Sequence, residues 1–255
     1  MLTLATTTPG EPEIFASLQG EGRSAGLPCT FVRLSRCNLA CTWCDTAYTW
    51  RFTEFDRKAN QIVLSEADTA ARIMALGGNR LVITGGEPLL QGAQLARMVA
   101  LLPREGGGLR LGEREAARGP RLRGEAMTIE IETNGTVAPH PALDPLVAQY
   151  NVSPKLKHSG NPAEIALLSE RLQAWSNEPK ANFKFVISAP EDLTEVLDLQ
   201  AAYTIPAARI QVMPEGTTSA TIRARSAWLA PLALDHGLGF SDRLHIHLYG
   251  DTRGT

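Results

Sequence analysis

Along the chain, short runs rich in β-branched and aromatic residues alternate with stretches whose apolar positions recur every three or four residues. The runs are Thr30 to Leu34, Arg80 to Thr84, Met127 to Ile131, Asn151 to Ser153, Asn182 to Ile187 and Arg209 to Met213. Their length and β-branched content predict six strands. Between them, Ala67, Ala70, Ala71 and Met74, and later Leu193, Val196, Leu197 and Ala201, each mark one apolar helix face. Repeated strand–helix units predict an α/β fold with a parallel sheet. Six units are too few to close an eight-stranded barrel, so the expected architecture is a partial, open barrel of the TIM type. A further strand is expected at the C-terminus, from Arg243 to Leu248, where apolar and polar residues alternate. In parallel βα folds ligands bind at the C-terminal ends of the strands.

Two segments break the pattern. From Pro103 to Glu125 the chain holds six glycines and six arginines with almost no apolar periodicity, which predicts a mobile insertion over 103–126. Residues 1–10, ending Thr6-Thr7-Thr8-Pro9-Gly10, read as a flexible tail. One domain, 1–255, is expected from the length. The formal net charge of -2 lacks the basic excess that nucleic-acid or membrane-surface binding needs, so a small molecule is the expected substrate. There is no secretory-type start and no apolar run approaching about 18 residues, which predicts a cytoplasmic protein.

The chemistry concentrates in the cysteines. Of four, three fall in Cys37-Asn38-Leu39-Ala40-Cys41-Thr42-Trp43-Cys44, a C-x3-C-x2-C spacing directly after the first predicted strand. Crowded thiols in a reducing compartment point to a metal centre rather than to disulfides. Three thiolates fill three corners of a cubane-type iron–sulfur cluster and leave the fourth iron open. A structural zinc site, and with it a non-catalytic zinc-binding module, is the competing reading. It usually takes paired C-x2-C units or a nearby histidine, and the first histidine after Cys44 is His140. Cys29, outside the spacing, reads as a small buried residue.

After the second strand comes Thr84-Gly85-Gly86-Glu87-Pro88, and after the third Glu132-Thr133-Asn134-Gly135. The glycines allow close backbone approach and Glu87 is an acceptor for an amino group. Glu132 and Asn134 suit ribose hydroxyls, although an Asx-turn before glycine has the same sequence. Cysteine spacing and Gly-Gly-Glu together resemble the radical S-adenosylmethionine (SAM) superfamily. That resemblance implies a [4Fe–4S] cluster on Cys37, Cys41 and Cys44, SAM as cofactor, and Trp43 and Asp45 beside it.

A narrower resemblance follows from Ser17-Leu18-Gln19-Gly20-Glu21-Gly22 before the cluster and Cys44-Asp45-Thr46 at its end. This pair is similar to the 7-carboxy-7-deazaguanine synthase family of 7-deazapurine (queuosine) biosynthesis, whose product serves transfer RNA modification or secondary metabolites. The resemblance implies that Leu18, Gln19, Gly20 and Glu21 hold the pterin edge of 6-carboxy-5,6,7,8-tetrahydropterin and that Arg33 clamps its carboxylate. In a strand, Arg33 also reads as the partner of a buried carboxylate. The resemblance further implies Thr84 as a substrate contact, Gly86 as a SAM contact and Thr46 as a Mg²⁺ ligand. Ser153, Pro154 and Lys155, and Gln211, Val212, Met213 and Pro214, are similar to SAM-contacting turns. In His245-Ile246-His247 one histidine, His245 by preference, corresponds to a substrate contact, though strand alternation would put both on one face. The extended C-terminus, Asp251 to Thr255, departs from the family pattern.

The implied reaction is hydrogen abstraction from C6 of the pterin, ring contraction and loss of ammonia, a carbon–nitrogen lyase. A homodimer and a flavodoxin or ferredoxin as reductant are implied with it. A glycyl-radical activating enzyme would share the cysteines and Gly-Gly-Glu, but has no use for the Gln19, Glu21 and Thr46 set.

Overall fold

In the computed structural model, which describes residues 1–103 and 126–255, the chain opens with β1 (Leu2–Thr8), β2 (Glu11–Pro12), β3 (Ile14–Leu18) and β4 (Pro28–Leu34). Then come α1 (Arg57–Asn60), β5 (Gln61–Leu64), α2 (Glu66–Leu76), β6 (Arg80–Gly85), α3 (Gly92–Val99), β7 (Thr128–Thr133) and β8 (Gln149–Val152). The second half adds α4 (Ala163–Ala166), α5 (Ser169–Asn177), β9 (Ala181–Ile187), α6 (Asp192–Tyr203), β10 (Ile210–Pro214), α7 (Ser219–Asp235), β11 (Gly239–Phe240) and α8 (Leu244–Tyr249).

The strands β4, β6, β7, β8, β9, β10 and β11 lie side by side in that order, all parallel. β3 pairs antiparallel with β4, and β1, β2 and β5 extend that edge antiparallel. The sheet runs from β11 to β2 without closing. All six runs expected as strands are strands, and the open, mostly parallel architecture is the one expected.

Period-two alternation sorts the parallel strands into two faces. Val32, Leu34, Leu81, Ile83, Ile129, Ile131, Tyr150, Val152, Phe183, Phe185, Ile210 and Val212 join Ile73, Leu95 and Met98 of the helices in one apolar core. The opposite face is largely polar. Arg33 pairs in register with Thr84, Glu132 with Asn151, and Lys184 with Gln211. Burying about fifteen large side chains outside the sheet, at roughly 1.5–3 kcal/mol each, lets the concave face carry charges that contribute little to stability.

Four expectations are corrected. Residues 1–10 are no loose tail: Leu2 and Leu4 are fully buried in β1, and its four threonines suit a β backbone. Residues 243–248 form α8 rather than a strand. The edge beside β10 is taken by Gly239 and Phe240, and of the α8 side chains only Ile246 is buried in the apolar interior, which a one-turn helix supplies as well as a strand. In α2 the buried face is Thr69, Ala70 and Ile73, with Ala67 and Ala71 exposed. In α6, Leu193 and Val196 are buried while Ala201 is exposed. In α6 the buried positions are β-branched or longer apolar side chains, which remove more apolar area from water than Ala201 would.

The Gly- and Arg-rich stretch expected to be mobile falls outside the described residues except at its ends. There Met127 N–H donates to the Pro103 carbonyl at 3.0 Å, so the chain departs and returns at one point. Among the described residues no helix is long and apolar enough to cross a membrane.

Candidate functional site

A cavity of about 210 Å³ opens over the concave face at the C-terminal ends of the parallel strands. It gathers Leu18, Gln19, Gly20, Glu21, Arg33, Cys37, Cys41, Trp43, Cys44, Asp45, Thr46, Thr84, Gly86, Glu132, Asn134, Ser153, Lys155, Met213 and His245, all singled out in the sequence. Glu87, Pro154, Gln211, Val212 and Pro214 do not line it. The Val212 side chain belongs to the apolar core on the other face.

The cysteine loop leaves β4 through Arg36, whose φ of 80° is unusual for a residue with a Cβ. Two bonds hold that turn: Arg36 N–H donates to the Thr49 carbonyl at 2.7 Å, and its own carbonyl accepts from Glu87 N–H at 2.8 Å. Here the Gly-Gly pair finds its reason. A Cβ on Gly85 would lie 2.1 Å from the Leu34 carbonyl oxygen, and one on Gly86 1.9 Å from that of Arg36. The glycines therefore admit the backbone of the cysteine loop itself, whatever else approaches them.

Each cysteine sulfur has an N–H donor beside it. Cys37 Sγ accepts from Leu39 N at 3.5 Å, with Asn134 Nδ2 at 3.9 Å. Cys41 Sγ accepts from Asn161 Nδ2 at 3.2 Å, and Cys44 Sγ from Trp50 Nε1 at 3.3 Å. Burial pushes the Cys37 thiol up to about 11 and raises Cys41 as well. Bound metal is what would hold such groups as thiolates.

Glu87 lies beneath the cavity. It is fully buried and accepts from Thr133 Oγ1 at 2.9 Å, Asn134 N at 2.7 Å and Leu89 N at 3.0 Å. Its carboxylate thus fastens the turn after β6 to the turn after β7. Asn134 makes the Asx-turn that its sequence allowed, Oδ1 accepting from Thr136 N at 2.9 Å, while Nδ2 donates to Asn38 Oδ1 of the cysteine loop at 3.0 Å.

Opposite the cysteines the wall is charged. Glu21 pairs with Lys184 of β9 and with Arg243, whose Nε stands 3.0 Å from Oε1. Burial alone would raise the Glu21 pKa, but Lys184, Arg243 and His245 together hold it far below the carboxylate range. Arg243 also donates to Asp45 and to the Gly216 carbonyl, so one guanidinium joins the Glu21 turn, the cysteine loop and the β10–α7 connection. Glu132 accepts from Gln19 Nε2 at 3.2 Å and from Thr84 Oγ1 at 2.7 Å. It therefore stands among residues expected at the substrate rather than among those expected at the cofactor. Arg33 gives Nε to Glu13 at 2.7 Å, and Tyr48 donates to the other Glu13 oxygen at 2.7 Å.

The short helix α8 separates the two histidines. His245 packs so closely on Gly20 that a Cβ there would lie 2.1 Å from its Nδ1, whereas His247 turns away to Ser219 Oγ at 3.0 Å and Asp242 at 3.2 Å. Thr255 also lines the cavity.

Sequence reading missed Lys184, Arg243, Asn151, Trp50 and Asn161. For Lys184 a signal existed: it is the charged residue inside an otherwise apolar strand, on the parity of Asn182. For Arg243 and Asn161 none did, since both act across long chain separations.

Three thiols on one cavity wall, each with an N–H donor, fit a cluster that keeps one iron open. Among the described residues no three His, Cys, Asp or Glu side chains are placed to chelate a single ion.

A family model described as the radical SAM superfamily matches residues 32–154. A 7-carboxy-7-deazaguanine synthase of Pyrobaculum aerophilum is 36% identical over 245 residues, covering 95% of this chain and 95% of its own. One from Halobacterium salinarum is 33% identical over 265 residues, covering 95% and 91%. Among solved structures, QueE from Escherichia coli superposes with a TM-score of 0.60 over 95% of each chain at 24% identity, a likeness of fold.

Proposed function

Because the chain belongs to the 7-carboxy-7-deazaguanine synthase family of radical SAM enzymes, we propose that it converts 6-carboxy-5,6,7,8-tetrahydropterin to 7-carboxy-7-deazaguanine with release of ammonia. The observation that carries this reading is a single cavity with three cysteines on one wall and Gln19, Glu21, Arg33, Thr84 and Glu132 on the other.

Cys37, Cys41 and Cys44 would hold the cluster, and the turns at Gly86, Asn134, Ser153, Lys155 and Met213 would border the space for SAM. When bound, the cluster and SAM would supply radical chemistry, the abstraction of a hydrogen atom at C6 of the pterin. Every other task falls to the chain. Glu21, kept ionised by Lys184 and Arg243, and Glu132 accept N–H groups of the pterin edge. Arg33, fixed through Nε by Glu13, turns its terminal amino groups to the substrate carboxylate. His245, stacked on Gly20, bounds the substrate on the α8 side. The apolar surface of Phe15, Phe31 and Leu18 excludes water from the reactive intermediates.

Thr46, with its hydroxyl 3.7 Å from Cys44 Sγ, would help to hold Mg²⁺, which would supply charge to orient the substrate carboxylate. The enzyme works in the cytoplasm as a homodimer, with a flavodoxin- or ferredoxin-type reductant, and its product feeds 7-deazapurine (queuosine) synthesis.

Anaerobic turnover of the pterin with reductant, SAM and Mg²⁺ tests the assignment, with Cys41→Ala as the inactive control. Reductive SAM cleavage without pterin consumption would refute the substrate while leaving the radical chemistry standing.

A further inference from the structure

We propose that Trp50 and Asn161 are positioning residues that set the reduction potential of the cluster through N–H···S hydrogen bonds to Cys44 and Cys41. The proposal rests on the reading of the three cysteines as cluster ligands.

Both donors are fixed in direction by chemistry. An indole nitrogen donates and never accepts, so at 3.3 Å Trp50 Nε1–H can only give its proton to Cys44 Sγ. Asn161 is only 8% exposed and its amide has one allowed orientation. Its Oδ1 accepts from Ala40 N–H at 2.8 Å, which leaves Nδ2 facing Cys41 Sγ at 3.2 Å and Ser159 Oγ at 3.1 Å. Swapping the two amide atoms would oppose N–H to N–H at Ala40.

Each donor is braced in turn. The Arg51 guanidinium lies 4.8 Å from the centroid of the Trp50 ring and also donates to the Cys41 carbonyl at 3.3 Å. Ser159 accepts at its carbonyl from Thr42 N–H at 2.9 Å. Cys37 has only the Leu39 backbone at 3.5 Å and a distant Asn134. Side-chain tuning therefore acts on two of the three sulfurs.

Reduction adds one electron, from a low-potential one-electron donor, and neither makes nor breaks a covalent bond. The added negative charge spreads onto the thiolate sulfurs, so donors aimed at them stabilise the reduced state more than the oxidised one. Removing one such bond lowers the equilibrium constant for reduction by up to roughly fivefold, the limit in which the whole usual net worth of a hydrogen bond belongs to the reduced state.

The test is a potentiometric titration of the anaerobically reconstituted protein without SAM, followed by electron paramagnetic resonance, with iron and sulfide analysis. Wild type is compared with Trp50→Phe, with 3-benzothienylalanine at position 50, which keeps the indole shape without the N–H, and with Asn161→Asp, which keeps the acceptor for Ala40. Potentials more negative than wild type at full iron content in all three support the proposal; loss of the cluster from the benzothienylalanine protein overturns it, since the bond would then hold the cluster rather than tune it. A benzothienylalanine protein with full iron and the wild-type potential overturns it, even where Trp50→Phe loses iron. Wild type that binds no cluster would instead overturn the reading of the cysteines.

Discussion

Arg243→Met removes the guanidinium that ties α8 to the rest of the cavity. In the native protein this side chain is 8% exposed and donates to Glu21 at 3.0 Å, to Asp45 and to the Gly216 carbonyl. Breaking a buried ion pair by deleting one partner costs about 3–5 kcal/mol, because the other charge stays behind unpaired. The lower end applies here, since Glu21 keeps Lys184 and the Asp45 side chain is 33% exposed. About 3 kcal/mol, at roughly 2–4 °C per kcal/mol for a chain of this size, lowers Tm by roughly 6–12 °C at neutral pH. The pH dependence follows from Glu21. Its folded pKa is depressed, so its contribution is present above the unfolded value of about 4.3 and is lost as pH falls toward the folded one. Removing Arg243 raises the folded pKa and shrinks that contribution. The Tm gap between wild type and variant is therefore full at neutral pH and narrows below about pH 4. Circular dichroism melts of the anaerobic apoprotein across this range measure it. A variant within experimental error of wild type at neutral pH, or a gap that stays constant on acidification, would refute the reasoning.

Gly20→Ala places a methyl 2.1 Å from His245 Nδ1; the imidazole must move, and KM for the pterin should rise about tenfold while SAM cleavage persists. Lys184→Met takes away a cation that holds the Glu21 pKa down, so that pKa rises and the acidic limb of the kcat/KM profile should move to higher pH. An unchanged limb would mean that Glu21 does not act as the ionised carboxylate. Thr46→Ala should lose stimulation by Mg²⁺ and Thr46→Ser keep it, as read from initial rates against Mg²⁺ concentration. Cys29 is 5% exposed, and burial, with Glu130 and Glu132 nearby, pushes its thiol up to about 12. In apoprotein treated with iodoacetamide at mildly alkaline pH, mass spectrometry should find it unmodified until the chain is denatured.

The sequence by itself determined the parallel strands, the cysteine loop and most of the cavity wall. Strand runs such as Thr128 to Thr133 write their two faces as alternating residues, and side-chain period two does not depend on what the strand packs against. The C-x3-C-x2-C spacing likewise carries its ligand count within eight residues. Tertiary structure alone decided the rest. That Leu2 and Leu4 anchor a strand depends on β5, some sixty residues later, supplying the edge to pair with. His245 and His247 are equivalent by alternation, and only the turn of α8 onto Gly20 sends one to the cavity and the other to Ser219. Glu87, legible as part of a motif, became a buried fastener between two turns because Thr133 and Asn134 arrive from another strand to donate to it. Local pattern fixes which atoms a residue offers, whereas charge pairs such as Glu21 with Lys184 and Arg243 join residues about 160 and 220 positions apart, and only the folded chain brings them together.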